Sequence, residues 1–377
     1  MTRRAALLLV LLIGACATSN EASRERSAPE PGREPIVRVH LASQGEWSTV
    51  RVGGKDGLIV EAGGKPFEAT DVVLRRRGGA ITIDGRPGEQ FDRVFLRPTG
   101  GVFTIGDRAY SGELVCRGPN LINHVPMENY VLGVLRGELP LGHVPVAAAE
   151  AQAIAVRSYT LHYLRAGRAG FDLDDTTQYQ IYAGLRYAAR DENLRAGVQA
   201  TRGLYLDYQG APVKAYYHST CGGHTTDVHT GLNRPAVAVM PGVACDWCKQ
   251  SRYYRWSADL EDAPILAASG LGGSEPVLRV AKPGTGGRAV LIEITTSSGS
   301  KTMLASEFRI KAGPSKLRST CIHSAHRVEG AVHLEGAGWG HGVGLCQMGS
   351  IGQADAGRAG REIASYYYPG AEIRRMY

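Results

Sequence analysis

Between Ile36 and about Val115 the sequence breaks on glycine every few residues. IVRVHLA, STVRVGG, GLIVEAGG, DVVLRRRGG, AITIDG, DRVFLRP and GVFTIGD are short, alternating or β-branched runs bounded by turn formers. Runs of period two and this length read as strands, and the glycines between them as turns. The region is therefore β-rich and continuous with the main domain. Composition agrees, since 49 glycines against 6 phenylalanines suit turns and short strands better than long helical bundles. With 377 residues, 43% of them hydrophobic, the chain can bury one large core or two medium ones.

Two helices follow the strands. The first spans about Met127 to Gly137, after Pro126, with Glu128 in its first turn. The second spans about Val146 to Ala166 after Pro145, and its alanine-rich face admits close packing of another element. Strands and loops resume beyond Asp172, with a short helix near Glu192–Thr201 and another around Ser350–Tyr368. No internal repeat is present. The fold class is α+β, mostly β, with a packed helical pair set against the strands.

The N-terminus, MTRRAALLLVLLIGAC, has two arginines, an apolar run and small residues before Cys16. This is a secretory signal peptide over 1–15, too short to span a bilayer as a mature helix. Residues 16–35, rich in Ser, Pro, Glu and Arg, read as a disordered linker. The β-rich part then runs over 36–114 and the remaining domain over 115–377.

The stretch VLRGELP, 134–140, places Glu138 at the end of the first helix, directly before Leu139 and Pro140. A negative charge is disfavoured near a helix C-terminus, where the macrodipole is already negative. Four further stretches stand out: AEAQAIAVRSYTLHY (149–163), DTTQYQIYAG (175–184), AYYHSTCGGHT (215–225) and GAGWGHGVGLCQMG (336–349). Taken in this order with NHVPMENYVLGVLRGELP (123–140), they resemble the SpoIID/LytB family of stage II sporulation protein D and the amidase enhancers. The resemblance covers about Tyr110 to Tyr377.

The resemblance implies a lytic transglycosylase that cuts peptidoglycan glycan strands, with Glu138 as the catalytic residue. The chemistry is coherent. A glycosidase needs two carboxyl groups, one as acid and one as nucleophile or base. A lytic transglycosylase needs one, because the substrate's own C6 hydroxyl attacks C1 and a single carboxyl group acts as acid and then as base. Glu138 is then protonated at rest, which burial and a helix C-terminus both favour. The resemblance also places Arg157 in the cleft, where it would hold a substrate carboxylate or amide oxygen. Gln180 and Tyr182, two apart in an extended segment, face one side and suit N-acetyl groups and sugar hydroxyls. Some family members carry metal-ligating His and Cys in that segment; this chain has Thr176, Thr177, Gln178 and Tyr179 instead, and no metal is carried over there. His218 and Ser219 match the family's groove, His341 is left accessible by its glycines, and Gln347 is a polar wall residue. Trp339 either stacks on a sugar or fills the core.

The resemblance of Ile13-Gly14-Ala15-Cys16 to a lipobox implies a lipid on Cys16, and Ala17 after it favours the outer membrane if the cell is Gram-negative. Cys116, Cys221, Cys245, Cys248, Cys321 and Cys346 remain. Cys245 and Cys248 have half of a zinc-type spacing, and Cys221, Cys245, Cys248 and Cys346 are expected to cluster as a structural zinc site or as two disulfides. No cofactor is needed for catalysis.

The formal charge of +7 suits an acidic partner, such as a carboxylated polymer or an anionic membrane. No basic run with interleaved aromatics and no zinc-finger spacing is present, so nucleic acid is excluded. Expected partners are glycan strands, a membrane through the lipid, and a cell-wall amidase. The rival from another class is a peptidoglycan-binding amidase enhancer that cuts nothing. A zinc amidase built on His218, His224, His229 or His341 ranks last, since no helix-borne ligand pair is present.

Overall fold

The computed structural model describes residues 29–377 apart from Leu141, Tyr187 and the side chain of Arg190. The expected signal peptide, Cys16 and most of the expected linker lie outside the described residues. By internal contacts the chain divides into two units: the described residues up to Tyr130 with Tyr163–Arg186, and Val131–His162 with Tyr187–Tyr377. The partition passes inside both early helices and not near residue 115.

The first unit is one ten-stranded sheet. Its strands are β1 (Ile36–His40), β2 (Thr49–Ala62), β3 (Lys65–Arg77), β4 (Ala80–Ile83), β5 (Arg93–Pro98), β6 (Val102–Ile105), β7 (Arg108–Ser111), β8 (Glu113–Arg117), β9 (Asn120–Pro126) and β10 (Leu173–Asp174). The path is β10-β1-β9-β8-β5-β2-β3-β4, with β6 pairing β2 and β7. Alternation along β2 buries Val50, Val52, Leu58 and Val60, as period two requires. Two of the expected strands fuse. STVRVGG and GLIVEAGG form the single strand β2, whose register against β3 slips between Gly53 and Leu58. Gly57, at φ +105°, supplies the backbone for this bulge. The expected linker also ends sooner than residue 35: the Glu34 carboxylate accepts the Glu128 N–H at 3.0 Å and the Pro35 carbonyl accepts the Met127 N–H. Glu34 thereby satisfies a free donor in the first turn of the helix that follows.

Helix α1 covers Met127–Glu138, α2 Val146–Arg165 and α3 Glu192–Ala200. Most of α2 is buried, as suits a helix without a polar face. Its small residues admit close packing: a Cβ on Gly197 of α3 would fall 2.7 Å from the Ala149 Cβ.

The rest of the second unit comprises β11 (Leu204–Tyr208), β12 (Ala211–Pro212), β13 (Tyr217–His218), α4 (Val228–Leu232), a 3-10 turn (Asp246–Cys248), β14 (Trp256–Glu261), α5 (Asp262–Ser269), β15 (Val277–Pro283), β16 (Ala289–Thr296), β17 (Gly299–Leu304), α6 (Ala305–Ala312), β18 (Ile322–Val328), β19 (Ala331–Gly336), β20 (Leu345–Cys346), α7 (Gln347–Asp355), α8 (Gly360–Tyr367) and β21 (Glu372–Arg375). It holds three-stranded sheets β12-β11-β21, β14-β19-β18 and β15-β16-β17, and the parallel pair β13-β20. The expected C-terminal helix is two helices, because Gly357, at φ +85°, ends the first, and the Glu362 carboxylate accepts the Ala359 N–H to start the second. The α+β class, mostly β, is as read from the sequence. No helix among the described residues is long and apolar enough to cross a membrane.

Candidate functional site

Glu138 is the last residue of α1 and is half-buried. The helix tightens once more through the Leu139 N–H to the Leu135 carbonyl, 3.0 Å, and Pro140 then stops it. A cleft of ≈ 420 Å³ opens here between the end of α1 and the start of α3. Arg136, Leu139, Pro140 and His143 line it from one side and Asp191 and Glu192 from the other. Glu138 is flanked by lining residues without itself lining the cleft.

One wall is an ion pair that the sequence reading missed. Arg136 Nε donates to Asp191 Oδ2 at 2.8 Å, and its Nη2 donates to the same oxygen. Both side chains are almost fully buried. Arg195 adds a contact of 3.0 Å to Asp191 Oδ1 from the solvent side. Asp191 stands at the N-cap position of α3 but does not cap it: its carboxylate is drawn to the guanidiniums instead. An Asp-Glu pair opening a helix, DEN, was the visible signal, and it reads as an N-cap until Arg136 is placed beside it.

Three of the expected substrate contacts are buried framework. Arg157 is fully buried, and its Nη1 donates to the Leu204 carbonyl at 2.7 Å and to Ala153 at 3.3 Å. It ties α2 to β11 and has no surface to offer a ligand. Gln180 and Tyr182 do face the same side, as their spacing requires, but that side is the interior of the first unit. Gln180 Nε2 donates to the Tyr130 hydroxyl at 3.2 Å, and Tyr182 stacks on the Tyr130 ring with its hydroxyl donating to Asn123 Oδ1 at 2.9 Å. The physical reason is desolvation: these polar groups are satisfied within the fold, so they are buried at little cost.

His218, Ser219, His341 and Gln347 gather around the β13-β20 pair. His218 is opposite Cys346 in its register, and its ring centroid is 5.6 Å from that of His341. His218 Nδ1 donates to the Val343 carbonyl at 3.2 Å, while its buried Nε2 has no partner among the described residues. Burial holds its pKa well below the ordinary imidazole range, and His341 and Arg288 lower it further. His341 Nδ1 accepts the Val343 N–H at 3.0 Å. Its pKa is pushed down to about 3 by burial first, then by Arg288 and Arg309. Ser219 and His341 keep partial exposure, whereas Gln347 is buried with its Nε2 unpartnered among the described residues. Trp339 is half-buried, edge-on to Tyr253 at 4.2 Å.

Behind these rings lies Arg288, fully buried, which the sequence did not single out. Its Nη1 donates to the Gly340 carbonyl at 2.9 Å and its Nη2 to Cys221 at 3.3 Å, and no carboxylate pairs with it among the described residues. The glycines of GWGHGVG let this loop close over the guanidinium: a Cβ on Gly342 would fall against Arg288 Nε.

The four expected cysteines do come together. The sulfurs of Cys221, Cys245, Cys248 and Cys346 lie within 4.8 Å of one another, all buried, and all are free thiols. Cys116, in the first unit, and Cys321, in the second, are also buried free thiols whose pKa burial raises.

Comparison with known proteins adds an independent line. The family model described as SpoIID, stage II sporulation protein, matches residues 117–208. The stage II sporulation protein D of Bacillus amyloliquefaciens is 26% identical over 324 residues, 82% of this chain and 89% of that protein. An uncharacterized protein of Brachyspira hyodysenteriae is 26% identical over 357 residues, 90% of this chain and 92% of that protein. The amidase enhancer of Bacillus subtilis is 24% identical over 292 residues, 64% of this chain and 40% of that protein.

Proposed function

We propose that this chain, a member of the SpoIID/LytB family of stage II sporulation protein D and amidase-enhancer proteins, is an exported peptidoglycan lytic transglycosylase, anchored to the membrane through a lipid on Cys16. A cell-wall role follows from the family; the bond cleaved and the anchor are our reading. The observation that carries it is Glu138, half-buried at a helix C-terminus between Arg136 and Leu139, which line a cleft.

The reaction needs one titrating carboxyl group. Protonated Glu138 gives its proton to the glycosidic oxygen as the bond to C1 breaks. The C6 hydroxyl of the same muramic residue closes on C1, and the Glu138 carboxylate takes the hydroxyl proton. The products are a 1,6-anhydro-muramic end and a free sugar hydroxyl, with the acid restored and no water consumed. Asp191 lines the cleft, but the bidentate Arg136 and the outer Arg195 hold its carboxylate, so it is poorly placed to serve as the second carboxylate of a hydrolase. Glu192 is exposed in the same cleft and is the one group there that hydrolysis would use. Substrate contact is assigned to Ser219 and His341, which keep exposure, and not to Arg157, Gln180 or Tyr182.

Mass spectrometry of intact and amidase-stripped peptidoglycan tests this after incubation with the soluble chain, with Glu138→Gln and with Glu192→Gln. The expected result is 1,6-anhydro ends that are lost with Glu138→Gln and kept with Glu192→Gln. Reducing ends in place of anhydro ends, lost with Glu192→Gln, make the enzyme a hydrolase. The amidase-enhancer relative favours a second reading, binding without cleavage; glycan bound by both the parent and Glu138→Gln but cut by neither establishes it.

A further inference from the structure

The geometry assigns a mononuclear tetrathiolate zinc site to Cys221, Cys245, Cys248 and Cys346, with Arg288 as its buried counter-charge. The ligands come from three segments: the turn after β13, the two ends of the Cys245–Cys248 step at the 3-10 turn, and the end of β20. A zinc ion with Zn–S bonds of about 2.3 Å sits in a tetrahedron whose corners are about 3.8 Å apart. The four sulfurs lie within 4.8 Å of one another, with Cys221 and Cys248 at 3.4 Å, so each is near all the others. Two disulfides would instead draw them into two pairs at about 2.05 Å. The span is that of one ion.

The surroundings are built for thiolates. The N–H groups of Cys221 and Gly349 donate to Cys346 Sγ at 3.2 and 3.3 Å, and the Tyr367 hydroxyl lies 3.2 Å from Cys245 Sγ. Cys346 is also the N-cap of α7, so its sulfur meets the positive end of a helix. Gly349 is required by the same close approach, because a Cβ there would fall 2.7 Å from Cys245 Sγ. Such outer donors commonly accompany metal-bound thiolates.

Arg288 is the independent observation. A fully buried guanidinium without an anion is costly, and no carboxylate reaches it among the described residues. Its Nη2 donates to the carbonyl of Cys221, itself one of the ligands. Four thiolates around Zn²⁺ carry a net charge of −2, which answers the arginine; two neutral disulfides would leave it alone. Loading is balanced as four thiols plus Zn²⁺ giving the tetrathiolate and four protons. The site is closed, with no position for water, so its role is structural: it pins the loop that carries His341 to the strand that carries His218.

The test is metal analysis of the full exported chain after dialysis against a chelator, with the thiol mass measured under non-reducing conditions. We expect one zinc per chain, kept through dialysis because all four ligands are buried, and released when an organomercurial modifies the cysteines. Cys245→Ser should drop the content toward zero, while Cys116→Ser, in the other unit, keeps it. Cobalt in place of zinc should give the visible absorption of a tetrahedral thiolate even if Cys245→Ser fails to fold. A metal-free chain whose mass is four hydrogens light, free thiols with no metal, or bound iron in place of zinc overturns the assignment.

Discussion

Removing the Asp191 carboxylate should damage the second unit far more than its single position suggests. Arg136 and Asp191 have side-chain exposures of 2% and 3%, and the contact is bidentate from the Arg136 side. Asp191→Leu takes the paired carboxylate away from a buried guanidinium, which costs about 3–5 kcal/mol where buried pairs have been broken this way. Arg195 does not change this much, because its side chain is 51% exposed and screened. For a unit of this size about 1 kcal/mol moves the melting temperature by roughly 2–4 °C, so the drop should be on the order of 10 °C. Arg136→Met combined with Asp191→Leu replaces both charges by apolar groups and should recover most of the loss. Calorimetry and urea unfolding of the four chains close the double-mutant cycle. A loss under about 1 kcal/mol for Asp191→Leu, or a double variant as weak as the two singles summed, refutes the reasoning.

Two further outcomes follow. Tyr182→Phe should cost about 1 kcal/mol of stability, because it removes the bond to buried Asn123, and leave the proposed glycan cleavage unchanged; a selective loss of cleavage with unaltered melting would return Tyr182 to the substrate groove. His341, whose folded pKa is about 3 against about 6.5 unfolded, binds its proton more readily in the unfolded chain. Its contribution is therefore complete above about pH 6.5 and lost as pH falls toward about 3. Unfolding free energies at about pH 7 and about pH 4 should fall more for the parent than for His341→Gln, and since both keep the same cysteines, equal falls would show that the imbalance does not reside in this imidazole.

What could be read in advance was what local chemistry decides. Pro126 and Pro145 fix helix starts, glycine runs fix turns, and the period of two in β2 and β4 fixes a face. The position of Glu138 at a helix end was legible for that reason, and so was the assembly of four cysteines, since the C-x-x-C step of Cys245 and Cys248 is half of a zinc-type spacing. What could not be read was which side of a residue the fold would turn inward. Gln180 and Tyr182 share a side, but nothing in DTTQYQIYAG says that Tyr130 and Asn123 wait there. Arg157 in AVRSY looks the same whether it meets solvent or the carbonyl of Leu204. Arg136 and Asp191 are 55 residues apart, and neither announces the other.

The chain passes between its two units inside α1 and again inside α2, which bears on the order in which it is made. The first unit lacks β10, the partner of β1, until residues 173–174 have been synthesised. The second waits still longer, because β21, at 372–375, is the outer partner of β11. A ribosome stopped a few codons early would release a chain whose β11 keeps an open edge toward its neighbours. The segment 117–208 that carries the family signature holds parts of both units and the whole of neither, so it is a signature in sequence without being a piece that can be cut out and folded.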